Sequence, residues 1–514
     1  MKKFLLSCLA LPVLYVNAQK ATVSGTVSPG SYQVIEIYRP SIALGFGSLE
    51  GTTLKTTPDA AGRFNMSVEL NDAELAHLEI YDSVSKKRIR SMLFLAPGYK
   101  LELKTDVQEN LMVTGKGAAD NQDMKLPDYD SLDHFYGDTL PMRAYDYITR
   151  ISQSKKQILR DYIATHKNAS PGFVRLWTAE LDYDRVSAFY GFRSNNAFGI
   201  REAYARNEAV WQKYQADAFG GLLLSNDKAV AAPQYISLVR TSVLRTKEAA
   251  WSAAYADRSK FLQTWYSDDT ASGWAKFQAD MENGLCARII EKTFTGAAKE
   301  LAYACLFESE LYSSSIANLV SIYNNFKQQY PDSRYRKLFD GPIGIIARKQ
   351  QLPLTDRMKF LGNDTSFATL EQVLATVKGK TVLLDMWGTW CGPCRQEINN
   401  NGDAIKKHFK GKELDYLYIA NYDDSNEDKW KQMIAFFNLE GYHLLASSKL
   451  SKDIMAKIKG KGYPTYAIID KSGKVELSTA GYPMDRDALI RQIEAVLSRS
   501  ATATTETYHR PDAE

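Results

Sequence analysis

The hydrophobic period changes twice along these 514 residues, and no single layer architecture accommodates both changes. Between residues 20 and 115 the apolar positions follow a period of two, in segments 22–27, 32–38, 63–70, 78–81, 92–95 and 99–103. Turn signals at Pro29-Gly30, 59–62 and Pro97-Gly98 separate them. Short strands at that spacing predict a small β sandwich or barrel. From about Leu126 to Lys349 apolar residues instead recur three and four apart, in 144–164, 172–190, 201–218, 234–255 and 316–329. No fixed repeat length emerges, so an irregular α-helical domain is expected rather than a solenoid.

After Met358 strand and helix patterns alternate: helix 370–377, strand 381–386, helix 397–409, strand 414–420, helices 427–437 and 450–458, strands 465–470 and 474–477, and helix 485–497. That order predicts an α/β fold with a central sheet covered on both faces. The expected organisation is therefore multi-domain: a leader over 1–18, a β-rich domain over 19–115, an α-helical domain over 116–350, an α/β domain over 351–500 and a disordered polar tail over 501–514.

The leader has a recognisable construction. Lys2 and Lys3 precede an apolar run from Phe4 to Val16, and Val16-Asn17-Ala18 supplies a small-residue cleavage site before Gln19. This is a secretory signal pattern, and the run is too short to span a bilayer. Cys8 raises a lipid-anchored alternative, but the apolar run continues past it. Release into an extracytoplasmic, periplasmic compartment is the expectation. The net charge is +4, two units of which come from Lys2 and Lys3. The remainder is too small to suggest nucleic-acid binding.

The chemistry is concentrated in Trp387-Gly388-Thr389-Trp390-Cys391-Gly392-Pro393-Cys394. A Cys-x-x-Cys at a strand-to-helix junction places the first sulfur at a helix N-terminus, where unpaired N–H groups favour thiolate. The second cysteine follows by about one turn and can attack a mixed disulfide on the first. Gly392-Pro393 keeps the loop compact, and proline suits a helix start. Zinc uses the same spacing but needs two more ligands. Cys286 and Cys305 are the remaining candidates, and the histidines show no paired ligand spacing. No metal or other cofactor is expected beyond the redox-active Cys391–Cys394 pair.

These residues resemble the active-site signature of the thioredoxin superfamily, in particular its envelope TlpA-like and ResA-like branch, over about residues 355–500. That branch usually has alanine where Gly388 stands. The resemblance extends to Asp385, six residues before Cys391, where thioredoxins carry a buried acid. It includes Gly462-Tyr463-Pro464-Thr465, which is similar to the family's cis-proline loop, and 468–474, which is similar to its β-hairpin. Asn399 departs from the pattern: family members commonly have a helix-kinking proline there.

The resemblance implies that Cys391 is the nucleophile, Cys394 the resolving thiol and Asp385 a buried acid exchanging a proton with Cys394. It implies that Tyr463, Pro464 and Thr465, with Trp390, contact substrate. Trp387 is expected to be core packing. Lys457, Lys459 and Lys461 read as a solvated helix end suited to its dipole. Cys286 and Cys305 lie in two helical segments, 279–292 and 297–312, that a turn near Gly296 would fold antiparallel. They are either a disulfide, closing a loop of about 20 residues for on the order of 3 kcal/mol, or two buried thiols.

The expected function is thiol–disulfide exchange. The Gly-Pro dipeptide resembles reducing thioredoxins near about −270 mV more than oxidising dithiol proteins near about −120 mV. The resemblance further implies disulfide-containing protein substrates and a membrane electron donor. Two other readings stand beside it. The long N-terminal region could make this a binding protein with an accessory redox module. A thiol peroxidase would share the fold, but its Pro-x-x-x-Thr/Ser-x-x-Cys setting is missing.

Overall fold

The structure is a computed structural model that describes residues 19–28, 32–39, 53–82, 85–105, 110–122, 124–267, 271–313, 316–362, 366–423 and 427–506. The leader over 1–18, with Cys8, and residues 507–514 of the expected tail lie outside the described residues. The described residues pack as two compact units, one within Met1–Ala279 and Leu285–Leu306, the other within Asp280–Gly284 and Phe307–Glu514.

The first unit begins with eight strands: β1 (Gln19–Thr26), β2 (Val34–Tyr38), β3 (Thr53–Thr56), β4 (Arg63–Leu70), β5 (Glu74–Tyr81), β6 (Arg88–Leu95), β7 (Lys100–Thr105) and β8 (Leu111–Lys116). They form two four-stranded sheets, ordered β4-β1-β7-β8 and β3-β2-β5-β6. Strand β4 shows the cause plainly, since its residues alternate exposed and buried along the whole strand. Ala21, Val23 and Val68 from one sheet and Ile35, Ile37 and Ile80 from the other share one core. The two sheets therefore form a sandwich. The sequence pattern does not predict β3 and β8, because neither has a sustained alternation of buried and exposed positions.

Helices follow: α1 (Met142–Thr165), α2 (Pro171–Ile200), α3 (Glu202–Phe219), α4 (Pro233–Ala256), α5 (Arg258–Tyr266), α6 (Ala271–Ala279), α7 (Asn283–Thr293), α8 (Gly296–Ser313), α9 (Leu319–Gln329) and α10 (Arg336–Lys349). Ala144 and Ile148 of α1, Phe189 and Phe192 of α2, and Trp211 of α3 make one core among them. Between α1 and α2 the ammonium of Lys155 donates to Asp184 at 3.1 Å, both side chains being buried. Tyr129 also donates to Asp184.

The last part of the second unit is α/β: β9 (Met358–Phe360), α11 (Leu370–Ala375), β10 (Thr381–Trp387), α12 (Gly392–His408), β11 (Leu414–Asn421), α13 (Glu427–Phe436), β12 (Gly441–Ala446), α14 (Ser448–Ile458), β13 (Thr465–Ile469), β14 (Val475–Leu477) and α15 (Arg486–Glu506). Its sheet is ordered β14-β13-β10-β11-β12-β9. Strand β10 lies in the interior, parallel to β11 and antiparallel to β13, and all seven of its residues are buried.

Burial on both faces explains why β10 reads as a continuous apolar run rather than an alternation. Val382, Leu384 and Met386 pack with Leu370 and Val373 of α11 and Leu450 and Ile454 of α14. Leu383 faces the other way, onto Ile405 of α12 and Leu489 and Ile493 of α15. Asp385 alternates with Leu384 and Met386, shares the face of Leu383, and so lies beneath α12. The sequence pattern also passes over β9 and β12; β9 has three residues, too short a signal to detect. Helix α15 is described through Glu506, within the polar stretch that begins at residue 501.

Candidate active site

Strand β10 ends at Trp387 and α12 starts at Gly392, so the intervening loop delivers Cys391 to the helix as its N-cap residue. Cys391 and Cys394 are joined by a disulfide, with Cα atoms 5.3 Å apart. The Cys394 amide donates to Sγ of Cys391 at 3.1 Å, so the sulfur occupies the place a serine or aspartate oxygen takes in a conventional cap. Gly392 and Pro393 form the first positions of α12. Cys391 is 3% exposed and Cys394 is fully buried. Helix α12 runs unbroken from Gly392 to His408 through Asn399, whose backbone retains the N–H that a proline would lack.

The loop itself is held by buried polar groups. Asp423, just beyond β11, accepts from the Thr389 amide at 2.8 Å and from its hydroxyl at 2.5 Å. Nη1 of Arg395 donates to the Thr389 carbonyl at 2.6 Å. Burial pulls the Arg395 guanidinium below its ordinary pKa, and the carboxylates of Glu282, Glu310 and Asp423 oppose that shift. Trp390 is 46% exposed, and its indole N–H donates to the Asn421 carbonyl at 2.9 Å. Trp387 is fully buried.

Asp385 is buried, and its Oδ1 has no hydrogen-bond partner. Its pKa is pushed up to about 8, first by burial and then by the nearby Glu397 carboxylate. Both acids line a cavity of about 40 Å³, with Lys406, Tyr416, Tyr418 and Tyr466, a volume with room for a few water molecules. Glu397 is anchored differently: it accepts from Nδ2 of Asn401 at 2.6 Å and from the Met484 amide at 3.1 Å. The two carboxyl groups thus meet the same cavity in different environments, one with an unpartnered oxygen and one with two donors.

The Tyr463-Pro464 peptide bond is cis. Register places Thr465 opposite Met386 of β10, so this loop lies level with the loop that carries Cys391. The Tyr463 ring meets Trp390 edge to face, with centroids 5.7 Å apart, and its hydroxyl accepts from Nδ2 of Asn421 at 2.6 Å. Thr465 Oγ1 donates to the Gly462 carbonyl at 2.5 Å. Of the three lysines leading into the loop, Lys457 is taken up by Glu371 and Asp453 at 2.5 and 3.0 Å. Lys459 and Lys461 are exposed.

Cys286 and Cys305 are buried thiols, so of the two alternatives the structure carries the one without a disulfide. Among the described residues no group of three or more His, Cys, Asp or Glu could hold a metal ion, and no helix is long and apolar enough to cross a membrane. Sequence reasoning missed Asn421, Asp423, Arg395 and Glu397. Arg395 and Glu397 were within reach, being one and three residues past Cys394 on the helix. Asn421 and Asp423 carry no local signal, since only the β10–β11 pairing brings them to the loop.

The Redoxin family profile matches residues 368–495. The thiol-disulfide oxidoreductase ResA of a Bacillus cereus strain is 32% identical over 133 residues, covering 26% of this chain and 72% of that protein. This chain belongs to the ResA-like thiol–disulfide oxidoreductases of the thioredoxin superfamily. The thioredoxin-like protein YneN of Bacillus subtilis is 35% identical over 117 residues. That match spans 22% of this chain and 65% of YneN, just under two thirds of its length. Among solved structures, the thioredoxin domain of a thiol-disulfide oxidoreductase from Bacteroides vulgatus is 26% identical, with a TM-score of 0.21 over 24% of this chain and 84% of that one. The Redoxin match lies wholly within the second unit.

Proposed function

We propose that this ResA-like protein reduces protein disulfides in the cell envelope by dithiol–disulfide exchange through Cys391 and Cys394. The observation that carries the reading is the placement of Cys391 Sγ as the N-cap of α12, accepting the Cys394 amide, with a buried acid beneath the same helix. In the reduced protein the Cys391 thiolate attacks one sulfur of the substrate disulfide. The other substrate sulfur leaves as thiolate and takes a proton. Cys394 then loses its proton and attacks Cys391, which releases the second substrate thiol and leaves the Cys391–Cys394 disulfide.

Asp385 is the acceptor and donor for the Cys394 proton. A carboxyl group titrating near 8 exists in both forms around neutral pH, which suits a proton carrier. Tyr463, Pro464, Thr465 and Trp390 form the surface against which an extended substrate lies. The basic and apolar leader supports export. Electrons arrive by exchange with a membrane-bound dithiol donor, which returns the Cys391–Cys394 disulfide to two thiols. The β-rich and helical regions over 19–115 and 116–350 precede the redox domain at 351–500 and are read as partner-recognition elements.

Insulin-disulfide reduction tests this directly. The reduced full-length protein should precipitate insulin in the presence of dithiothreitol, and Cys391→Ser should not. Equal rates for the two proteins would reject the assignment.

A further inference from the structure

Three aromatic rings converge beside Cys391, and the reading above uses only two of them. Tyr422 follows the last residue of β11 and is 54% exposed, and its ring meets Trp390 edge to face at 5.9 Å. Trp390 in turn meets Tyr463 at 5.7 Å. Tyr422 holds φ at +55°, a left-handed conformation that a bulky residue adopts only where its surroundings impose it. This left-handed residue carries an exposed ring that rests against Trp390.

The arrangement is built from beneath. Asn421 is fully buried, and it grips both neighbours: its carbonyl accepts from the Trp390 indole and its amide donates to the Tyr463 hydroxyl. Gly388 makes the Trp390 position possible. A Cβ at residue 388 would come within 2.4 Å of the Trp390 indole nitrogen. An alanine here would push the ring off its Asn421 anchor.

We propose that Trp390, Tyr422 and Tyr463 form a platform that selects polypeptide disulfides with an aromatic side chain next to the reacting cysteine. The proposal rests on the protein-disulfide reading above. Edge-to-face rings leave further faces and edges open, and a further aromatic ring fits such a lattice by the same geometry. A cationic guest would also suit ring faces, and the arginine peptide in the test below separates it from an aromatic one. The groups that pin the rings, the Asn421 carbonyl and amide, are neutral. Asn421 and Gly388 act as positioning residues.

The test uses three blocked pentapeptides, each supplied as its disulfide-linked dimer, with Phe, Ala or Arg preceding the cysteine. One reduced protein molecule converts one dimer into two peptide thiols and becomes oxidised, and the second-order rate constant of this single turnover is read from the thiols released. The wild type should favour Phe over Ala by about fivefold or more, with Arg no better than Ala. Tyr422→Asn, which keeps a residue tolerant of positive φ, should bring the Phe/Ala ratio near one, and Tyr422→Phe should preserve it. Gly388→Ala should lower the ratio and shift Trp390 fluorescence. Equal wild-type rates for Phe and Ala, a ratio that survives Tyr422→Asn, or a preference for Arg would overturn the platform while leaving the oxidoreductase intact. Reduction of none of the three peptides would instead overturn the underlying function.

Discussion

Asp423 holds Thr389 at two points, accepting its amide at 2.8 Å and its hydroxyl at 2.5 Å. Thr389 lies two residues before Cys391, so a carboxylate beyond the neighbouring strand fixes the path by which β10 hands Cys391 to α12. Both residues are buried, and water cannot easily replace either bond.

Asp423→Ala should therefore strand two buried donors at about 1–3 kcal/mol each. The expected outcome is a lower urea midpoint for the oxidised protein, together with slower insulin reduction as the loop loosens. An unchanged midpoint would show that the loop is held elsewhere. Thr389→Val, which removes only the hydroxyl, should cost less than Asp423→Ala.

Asp385 makes the fold sensitive to alkali. Its folded pKa near 8 lies above the ordinary 3.8, so between about pH 4 and 8 the folded state binds a proton that the unfolded state has released. Stability contributed by the protonated form is complete at low pH and is lost as pH rises through 8. Asp385→Asn should remove this dependence and gain on the order of a few kcal/mol at pH 8.5 relative to wild type. The same variant should slow disulfide exchange, because it carries no proton for Cys394. Parallel denaturation curves at pH 5 and pH 8.5 check the first effect; a gain equal at both would disprove it.

His443 gives the opposite dependence in the same domain. It is fully buried, stacks on Tyr418 with centroids 5.2 Å apart, and hydrogen-bonds the Leu439 carbonyl through Nε2. Burial lowers its pKa to about 4, with the Lys406 charge adding to the effect. Here the unfolded state binds the extra proton, so stability is present above about pH 6.5 and is lost as pH falls toward 4, by on the order of 3 kcal/mol. His443→Gln should lose less stability between pH 7 and pH 4.5 than wild type, read from thermal midpoints at both pH values.

How far the sequence carried these conclusions depended on whether a feature was local. The disulfide, the helix start at Gly392 and the buried acid at Asp385 all lie within ten residues of one another; pattern and chemistry located the first two, and the thioredoxin resemblance pointed to the third. The sandwich strands were legible where burial alternates, as in β4, and lost where it does not, as in β3 and β8. Asn421, Tyr422 and Asp423 could not be found that way. They lie some thirty residues from the loop they support, and only the parallel pairing of Trp387 with Ala420 brings them there. The left-handed backbone at Tyr422 likewise has no signature in the residue type.

In the first unit the strongest commitment is the buried pair of Lys155 and Asp184, 3.1 Å apart, with the Lys155 ammonium 4.2 Å from the Tyr129 ring centroid. Removing one charge leaves the other buried and unmatched, which typically costs about 3–5 kcal/mol. Replacing both with apolar residues of similar volume is often close to neutral. Lys155→Met should accordingly lower the thermal midpoint of the full chain sharply. Adding Asp184→Leu should recover much of that loss, although Tyr129 then loses its acceptor and holds recovery below wild type. A double variant no better than the single would mean that the pair supports the helices by packing alone, with charge burial contributing nothing.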